Sequence, residues 1–340
     1  MESDRPYRPA PELQRVLDDL DRLGNPLDQL TRDNVGDLWL LREALAGRVL
    51  GPVPVAGVRD VGIPARNRQI PARVYTPSGR DLERDGRLPA LVYYHGGGWA
   101  LGSLATYDSL CRALARGTGA LVVSVDCRLA PEHPFPAAVE DAHLALWWVA
   151  RNADSLGVDT QRLAVGGDSA GGNLATVVAL RARTEQLPVA FQALFYPSTD
   201  IARTDYPSYR QYGQGHWLTT RAAETFRSFY LPDPRDWQRP DVSPLRAADD
   251  DLRLLPPALV MTPGCDPLRD EGRAYADRLR AVGVPVEYRL EPEMIHGCLN
   301  LFNSALYPDA SRRVEPVLRA LADAIRAAWL GMGRPALSRR

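Results

Sequence analysis

The chain has 340 residues, 45% of them hydrophobic and 24% charged, enough to bury a substantial core in one large domain or two modest ones. Its 41 basic residues face 42 acidic ones, so the formal charge of -1 supplies no general field for nucleic acid or an anionic membrane. All 41 basic residues are arginine, which excludes lysine-dependent chemistry: Schiff bases, pyridoxal phosphate, Walker loops and Ser-x-x-Lys pairs.

In chain order, the polar start Met1-Glu-Ser-Asp-Arg-Pro has no signal-peptide character, and no run approaches 18 apolar residues. Leu13, Val16, Leu17, Leu20 and Leu23 recur at helical spacing, and Leu38, Leu40, Leu41 and Leu45 mark a second helix. From Val55 the pattern turns to short β-rich runs: Ala72 to Tyr75, Leu88 to Tyr94, Ala120 to Asp126, Leu163 to Gly166, Phe191 to Tyr196, Ala258 to Thr262 and Val286 to Leu290. Between them lie helix-length segments: Thr106 to Arg116, Ala137 to Ser155, Ser169 to Arg183, Leu268 to Ala281 and Ala310 to Leu330. This alternation, with near-continuously apolar strands, predicts an α/β chain whose mainly parallel sheet is covered by helices on both faces.

Asp200 to Pro244 breaks the alternation, being rich in aromatics and without a strand pattern. The organisation expected is a helical cap segment over 1–50, a core over 51–199, an inserted cap segment over 200–245, the rest of the core over 246–330 and a frayed tail over 331–340. Such a cap would cover the carboxyl edge of the sheet, where ligands bind in open α/β folds. Cys111, Cys127, Cys265 and Cys298 show neither Cys-x-x-Cys spacing nor the density of a disulfide-stapled domain. Free thiols in the cytoplasm are expected, with no nucleic-acid partner and no stable membrane association; a homodimer is left open.

The motif that carries most chemistry is Gly167-Asp168-Ser169-Ala170-Gly171, which follows the strand Leu163-Ala-Val-Gly and opens a helix. A serine on so tight a strand-to-helix turn needs small neighbours because its backbone is strained, and the turn lifts its hydroxyl clear of the sheet. His95-Gly96-Gly97-Gly98-Trp99 follows another strand; three successive glycines leave amides free to point at a developing oxyanion. Asp168 is expected to brace the serine turn and His95 to hold the glycine loop.

A serine nucleophile needs a base. His133 lies in a proline-rich turn, His143 within a helix pattern and His216 in the insert. His296 follows the strand Val286 to Leu290, so its loop reaches the sheet edge that carries Ser169, and it respects the serine, acid, histidine order of α/β-hydrolases. The acid then falls between Ser169 and His296. Asp266, first past the strand from Ala258, is preferred over Asp270, whose place in the following helix needs only the helix dipole to explain it.

These residues resemble the hormone-sensitive-lipase-like family of bacterial esterases, the bacterial family IV branch of the α/β-hydrolase superfamily. The likeness runs from about Tyr75 to Gly297 through His95-Gly-Gly-Gly-Trp99, Cys127-Arg-Leu-Ala-Pro-Glu-His-Pro-Phe-Pro-Ala137, Gly167-Asp-Ser-Ala-Gly-Gly-Asn-Leu-Ala175, Asp266-Pro-Leu-Arg-Asp-Glu-Gly272 and His296-Gly297. The chain departs from the family at Cys127, where tyrosine is usual, and at Cys298, where phenylalanine is.

The resemblance implies Ser169 as nucleophile, His296 as base and then acid, Asp266 as the group orienting the imidazole, and an oxyanion hole made by the amides of Gly97, Gly98 and Ala170. It implies a serine carboxylesterase acting on short to medium acyl chains, with no metal or organic cofactor. An amidase or deacetylase would use the same groups, and a non-catalytic small-ligand receptor is a remoter alternative, opposed by the presence of His296. Trp99, Tyr212, Trp217, Phe226 and Tyr230 are candidates for the substrate pocket, and a bulky thiol reagent on Cys265 or Cys298 is expected to obstruct the site.

Overall fold

The computed structural model describes residues 6–46, 48–79 and 81–332. Eight strands form one sheet among the described residues: β1 (Gly57–Ala65), β2 (Arg68–Thr76), β3 (Leu88–Tyr94), β4 (Leu121–Val125), β5 (Val158–Asp168), β6 (Phe191–Phe195), β7 (Ala258–Cys265) and β8 (Val286–Ile295). Their spatial order is β1-β2-β4-β3-β5-β6-β7-β8. β1 pairs antiparallel with β2, and β2 with β4. From β4 across to β8 every pairing is parallel.

Eleven α-helices connect or flank the strands among the described residues: α1 (Pro11–Leu23), α2 (Val35–Ala46), α3 (Asp108–Thr118), α4 (Ala137–Arg151), α5 (Ala153–Leu156), α6 (Ala170–Thr184), α7 (Pro207–Tyr212), α8 (Thr220–Tyr230), α9 (Asp249–Leu252), α10 (Arg269–Ala281) and α11 (Pro308–Gly331). The segment from Ala137 to Ser155, read as one helix, is two, broken at Asn152, whose side chain donates back to the Trp148 carbonyl.

Alternation along the central strands sorts their side chains onto two faces. Ala90, Val92 and Tyr94 of β3 join a core shared with α4, α6 and α10, while Leu91 and Tyr93 point into the one built with α1, α3 and α11. Both faces are covered, so the central strands are buried throughout. β1 escaped a definite strand reading because it is an edge strand with only Ile63 fully buried and Gly57, Gly62 and Pro64 diluting its pattern.

The insert contains α7 and α8 with two 3₁₀ turns, the second running to Arg246, and no strand; α9 lies just beyond it. The stretch after α1 meets the insert directly. Asn25 Nδ2 donates to the carbonyls of His216 and Trp217 at 3.1 Å each, and Thr219 Oγ1 donates to the Asp28 carboxylate. Leu13, Val16 and Leu17 dock α1 into the core face that carries α11, and its Leu20 and Leu23 border a chamber that Trp217 of the insert also lines. Of the expected frayed tail, Gly331 closes α11 and residues 333–340 lie outside the described residues.

Candidate active site

β3 and β5 are neighbours in the sheet, as are β7 and β8, with β6 between the two pairs; all five run parallel, so the loops that follow their carboxyl ends share one edge. Ser169 sits between β5 and α6 with φ 54° and ψ -120°, a conformation that costs a non-glycine residue energy. Three backbone bonds hold it: its N–H donates to the Phe195 carbonyl at 2.9 Å, and its carbonyl accepts from Asn173 N–H at 3.0 Å and from Ser198 N–H at 3.2 Å. Small residues are required because the turn presses on β3. A Cβ on Gly171 would stand 1.9 Å from the Tyr94 carbonyl oxygen.

Ser169 Oγ lies 2.9 Å from His296 Nε2, and His296 Nδ1 lies 2.9 Å from Asp266 Oδ2. Asp266 is fully buried, and its other oxygen accepts from Leu268 N–H at 2.7 Å, which fixes the carboxylate plane. With Nδ1–H donated to the carboxylate, the lone pair on Nε2 faces the serine hydroxyl. The ring is further held edge-on against Tyr196, 5.0 Å between centroids. Asp270, the other acid considered, points elsewhere: it accepts from Ser208 N–H at 2.8 Å and so anchors α7.

The glycine loop runs beside this chain of groups. Gly97 and Gly98 have φ of 114° and 63°, and a Cβ on Gly98 would collide with the Phe226 ring at 2.2 Å. Among the described residues no acceptor takes the Gly97 or Gly98 amides. As the first residue of α6, Ala170 likewise carries an amide that the helix leaves unpaired.

Asp168 ties loop and turn together. Its Oδ1 accepts from Gly96 N–H and Tyr93 O–H, both at 2.9 Å, and its Oδ2 accepts from Tyr107 O–H at 3.0 Å. Burial pushes this carboxyl above the usual carboxylate range, against the opposing pull of those donors. His95 Nδ1 lies 2.8 Å from the Gly96 carbonyl, one contact within the same loop. His133, His143 and His216 are elsewhere; His143 pairs with Glu185 at 2.9 Å and His216 with the Gln214 carbonyl at 2.8 Å.

Above Ser169 opens a cavity with about 770 Å³ of empty space including its mouth. Trp99, Trp217 and Phe226 line it. Tyr212 and Tyr230, also expected there, do not. Tyr230 is fully buried and stacked on Trp99 at 4.6 Å, so it backs the wall instead of forming it, and Tyr212 turns away toward Tyr7, His216 and Arg269. Helical spacing identifies these aromatics but not the direction each faces. Leu27, Arg42, Tyr209 and Asn300 line the cavity without having been singled out, because nothing in their sequence neighbourhoods marks them.

Cys265 and Cys298 are fully buried, and burial pushes the Cys265 thiol up to about 12 and raises that of Cys298 further. The expectation that a thiol reagent would obstruct the site is therefore corrected, since neither sulfur is accessible nor readily ionised. Among the described residues no group of three His, Cys, Asp or Glu is arranged to hold a metal ion, and no helix is long and apolar enough to cross a membrane.

A family model described as the alpha/beta hydrolase fold matches residues 91–300. A carboxylic ester hydrolase, LipN, of Mycobacterium tuberculosis is 46% identical over 266 residues, 76% of this chain and 69% of that protein. An ethyl acetate hydrolase of Pseudomonas putida is 38% identical over 267 residues, 78% of this chain and 82% of that one. The crystal structure of a thermostable esterase from Pseudomonas putida ECU1011 superposes with a TM-score of 0.86 at 36% identity, over 96% of this chain and 99% of that chain.

Proposed function

This chain belongs to the α/β-hydrolase fold family, in its hormone-sensitive-lipase-like branch, and from that premise we propose that it is a serine carboxylesterase for small esters of short to medium acyl chains. The observation that supports this reading most directly is the unbroken chain Ser169 Oγ, His296, Asp266, with 2.9 Å at each step, beside the Gly97 and Gly98 amides, which no acceptor among the described residues takes.

In this reading Ser169 Oγ attacks the ester carbonyl carbon as His296 Nε2 takes its proton. The carbonyl oxygen becomes an oxyanion held by the amides of Gly97, Gly98 and Ala170. The carbon–oxygen bond to the alcohol breaks, and His296 returns the proton to the departing alkoxide. Water, deprotonated by the same imidazole, then attacks the acyl carbon and releases the acid and Ser169. Asp266 stays ionised and keeps the imidazole in the tautomer the two transfers need.

Bulky walls at Trp99, Trp217 and Phe226 argue for a modest acyl group. Four buried free cysteines accord with residence in the cytoplasm. The test is turnover of p-nitrophenyl esters from acetate to palmitate, run beside matched amides and with Ser169→Ala in parallel. Ester turnover peaking at short or medium chains and lost in the folded variant is expected. Amide turnover exceeding ester turnover, or activity surviving the substitution, would refute the reading.

A further inference from the structure

A second chamber, with six leucines in its lining, lies between the N-terminal segment and the loop after β8. Arg42, Trp217, His296 and Asn300 are among the residues that border both it and the cavity over Ser169. Arg42 is the only permanently charged group on this shared boundary. It is half-buried, and among the described residues it makes no hydrogen bond and no ion pair. Other arginines in that position, such as Arg59, Arg66, Arg116 and Arg221, are exposed to water, which solvates them.

Nothing in the walls balances the Arg42 charge. The second chamber has no carboxylate in its lining, and the first has only Asp168, which is 1% exposed and already accepts from Gly96, Tyr93 and Tyr107. Arg42 does act electrostatically on the Tyr107 hydroxyl. The other cavity arginine is engaged: Arg227 donates to the Ile201 carbonyl at 3.2 Å and lies over the Trp237 ring at 4.0 Å. A half-buried guanidinium whose donors no described residue takes is an incomplete arrangement that a planar oxyanion completes.

We propose that the site selects esters bearing a carboxylate a few bonds from the scissile carbonyl, with Arg42 as the specificity-determining residue that pairs with it. The inference rests on the esterase reading above. Two substrate classes share this chemistry, half-esters of dicarboxylic acids, with the charge on the acyl side, and acylated hydroxy acids, with the charge on the alcohol side.

The experiment compares shape-matched pairs on the full chain in a pH-stat: monoethyl succinate against ethyl isohexanoate, and β-acetoxypropanoate against isopentyl acetate. In Arg42→Gln the anionic-to-neutral ratio of kcat/KM is expected to fall about tenfold or more in at least one pair, the scale of one charge-assisted hydrogen-bonded contact, and Arg42→Lys to retain part of it. The pair that responds identifies the side on which the charge sits. In the unsubstituted protein, added salt is expected to slow the anionic member of that pair and leave the neutral one unaffected, a readout independent of how the variants fold.

A ratio unchanged in both pairs, with anionic and neutral esters slowed alike, would assign Arg42 to balancing the Tyr107–Asp168 network and overturn the inference. No turnover of any of these esters would instead sink the esterase reading beneath it.

Discussion

Asp168 offers the sharpest test of how the glycine loop is held. Four donors converge on it: Gly96 N–H and Tyr93 O–H at 2.9 Å on one oxygen, and Tyr107 O–H at 3.0 Å and Tyr196 O–H at 3.5 Å on the other. In Asp168→Asn the amide oxygen keeps the first pair, while the NH₂ faces two hydroxyls that must rotate to accept. Charge-assisted bonds of about 1.5–3 kcal/mol become neutral ones of about 0.5–1.5 kcal/mol, partly offset because the amide escapes the burial that disfavours the carboxylate. We expect a net stability loss of about 1–2 kcal/mol for Asn. Asp168→Ala strands the Gly96 N–H and the Tyr93 hydroxyl at about 1–3 kcal/mol each, and is expected to cost about 3–5 kcal/mol in all. Losing an oxyanion donor outright costs about 10²–10³ in rate, so loosening the neighbour of Gly97 should lower kcat about tenfold in Asn and about 10² in Ala. KM should move little, because the contact concerned forms only in the transition state. Urea denaturation and steady-state ester kinetics read both quantities. An alanine variant with unaltered kcat and unaltered midpoint would refute the claim that Asp168 positions the loop.

Asp266→Asn is expected to lower kcat by a factor on the order of 10⁴ with the fold retained, as the amide favours the wrong imidazole tautomer; a loss under about tenfold, with circular dichroism confirming folding, would contradict this. Gly98→Ala places a Cβ 2.2 Å from the Phe226 ring at a φ of 63°, so turnover should fall by at least about tenfold, and Phe226→Ala should restore part of it by relieving the clash but not the strain. Rescue to full activity would show that strain plays no part, and absence of any rescue would remove the Phe226 contact as a cause. Glu271 is fully buried and accepts from Thr199 N–H at 2.8 Å, and burial first, with the nearby Asp200 charge adding to it, raises its carboxyl from 4.5 to about 8. Between those values the native state holds a proton that the unfolded state has released, so stability from this group falls as pH rises across the window, by at most about 1.4 kcal/mol per pH unit. Glu271→Gln should flatten that slope in denaturation measured from acid to mildly alkaline pH; an unchanged slope would assign it to other groups.

The sequence by itself determined what neighbours in the chain impose on one another. The apolar runs at β3 and β4 and their alternation with helices made a covered parallel sheet legible, because a strand buried on both faces must be apolar at successive positions. The Gly167 to Gly171 turn was legible for the same local reason: a strained φ at Ser169 and a close approach to Tyr94 demand small residues at fixed offsets. Position after a strand was enough to nominate His296 and Asp266, since parallel strands carry their following loops to one edge. The edge strand β1 was harder to read, for one-sided burial at Ile63 leaves little pattern.

Tertiary structure alone decided what crosses between elements. Ser169 and His296 are 127 residues apart, and their 2.9 Å contact depends on strand order and loop conformation together. Tyr230 and Trp217 are both aromatic residues of the insert, yet one stacks behind Trp99 and the other faces the cavity, because side-chain direction follows from how α8 and its flanking loops dock. Arg42 came to the cavity by the same route, from a helix whose own sequence gives no hint of it. Local steric rules act over a few residues and are written in the chain, whereas the surroundings of a side chain are set by packing among distant segments and exist only once the chain has folded.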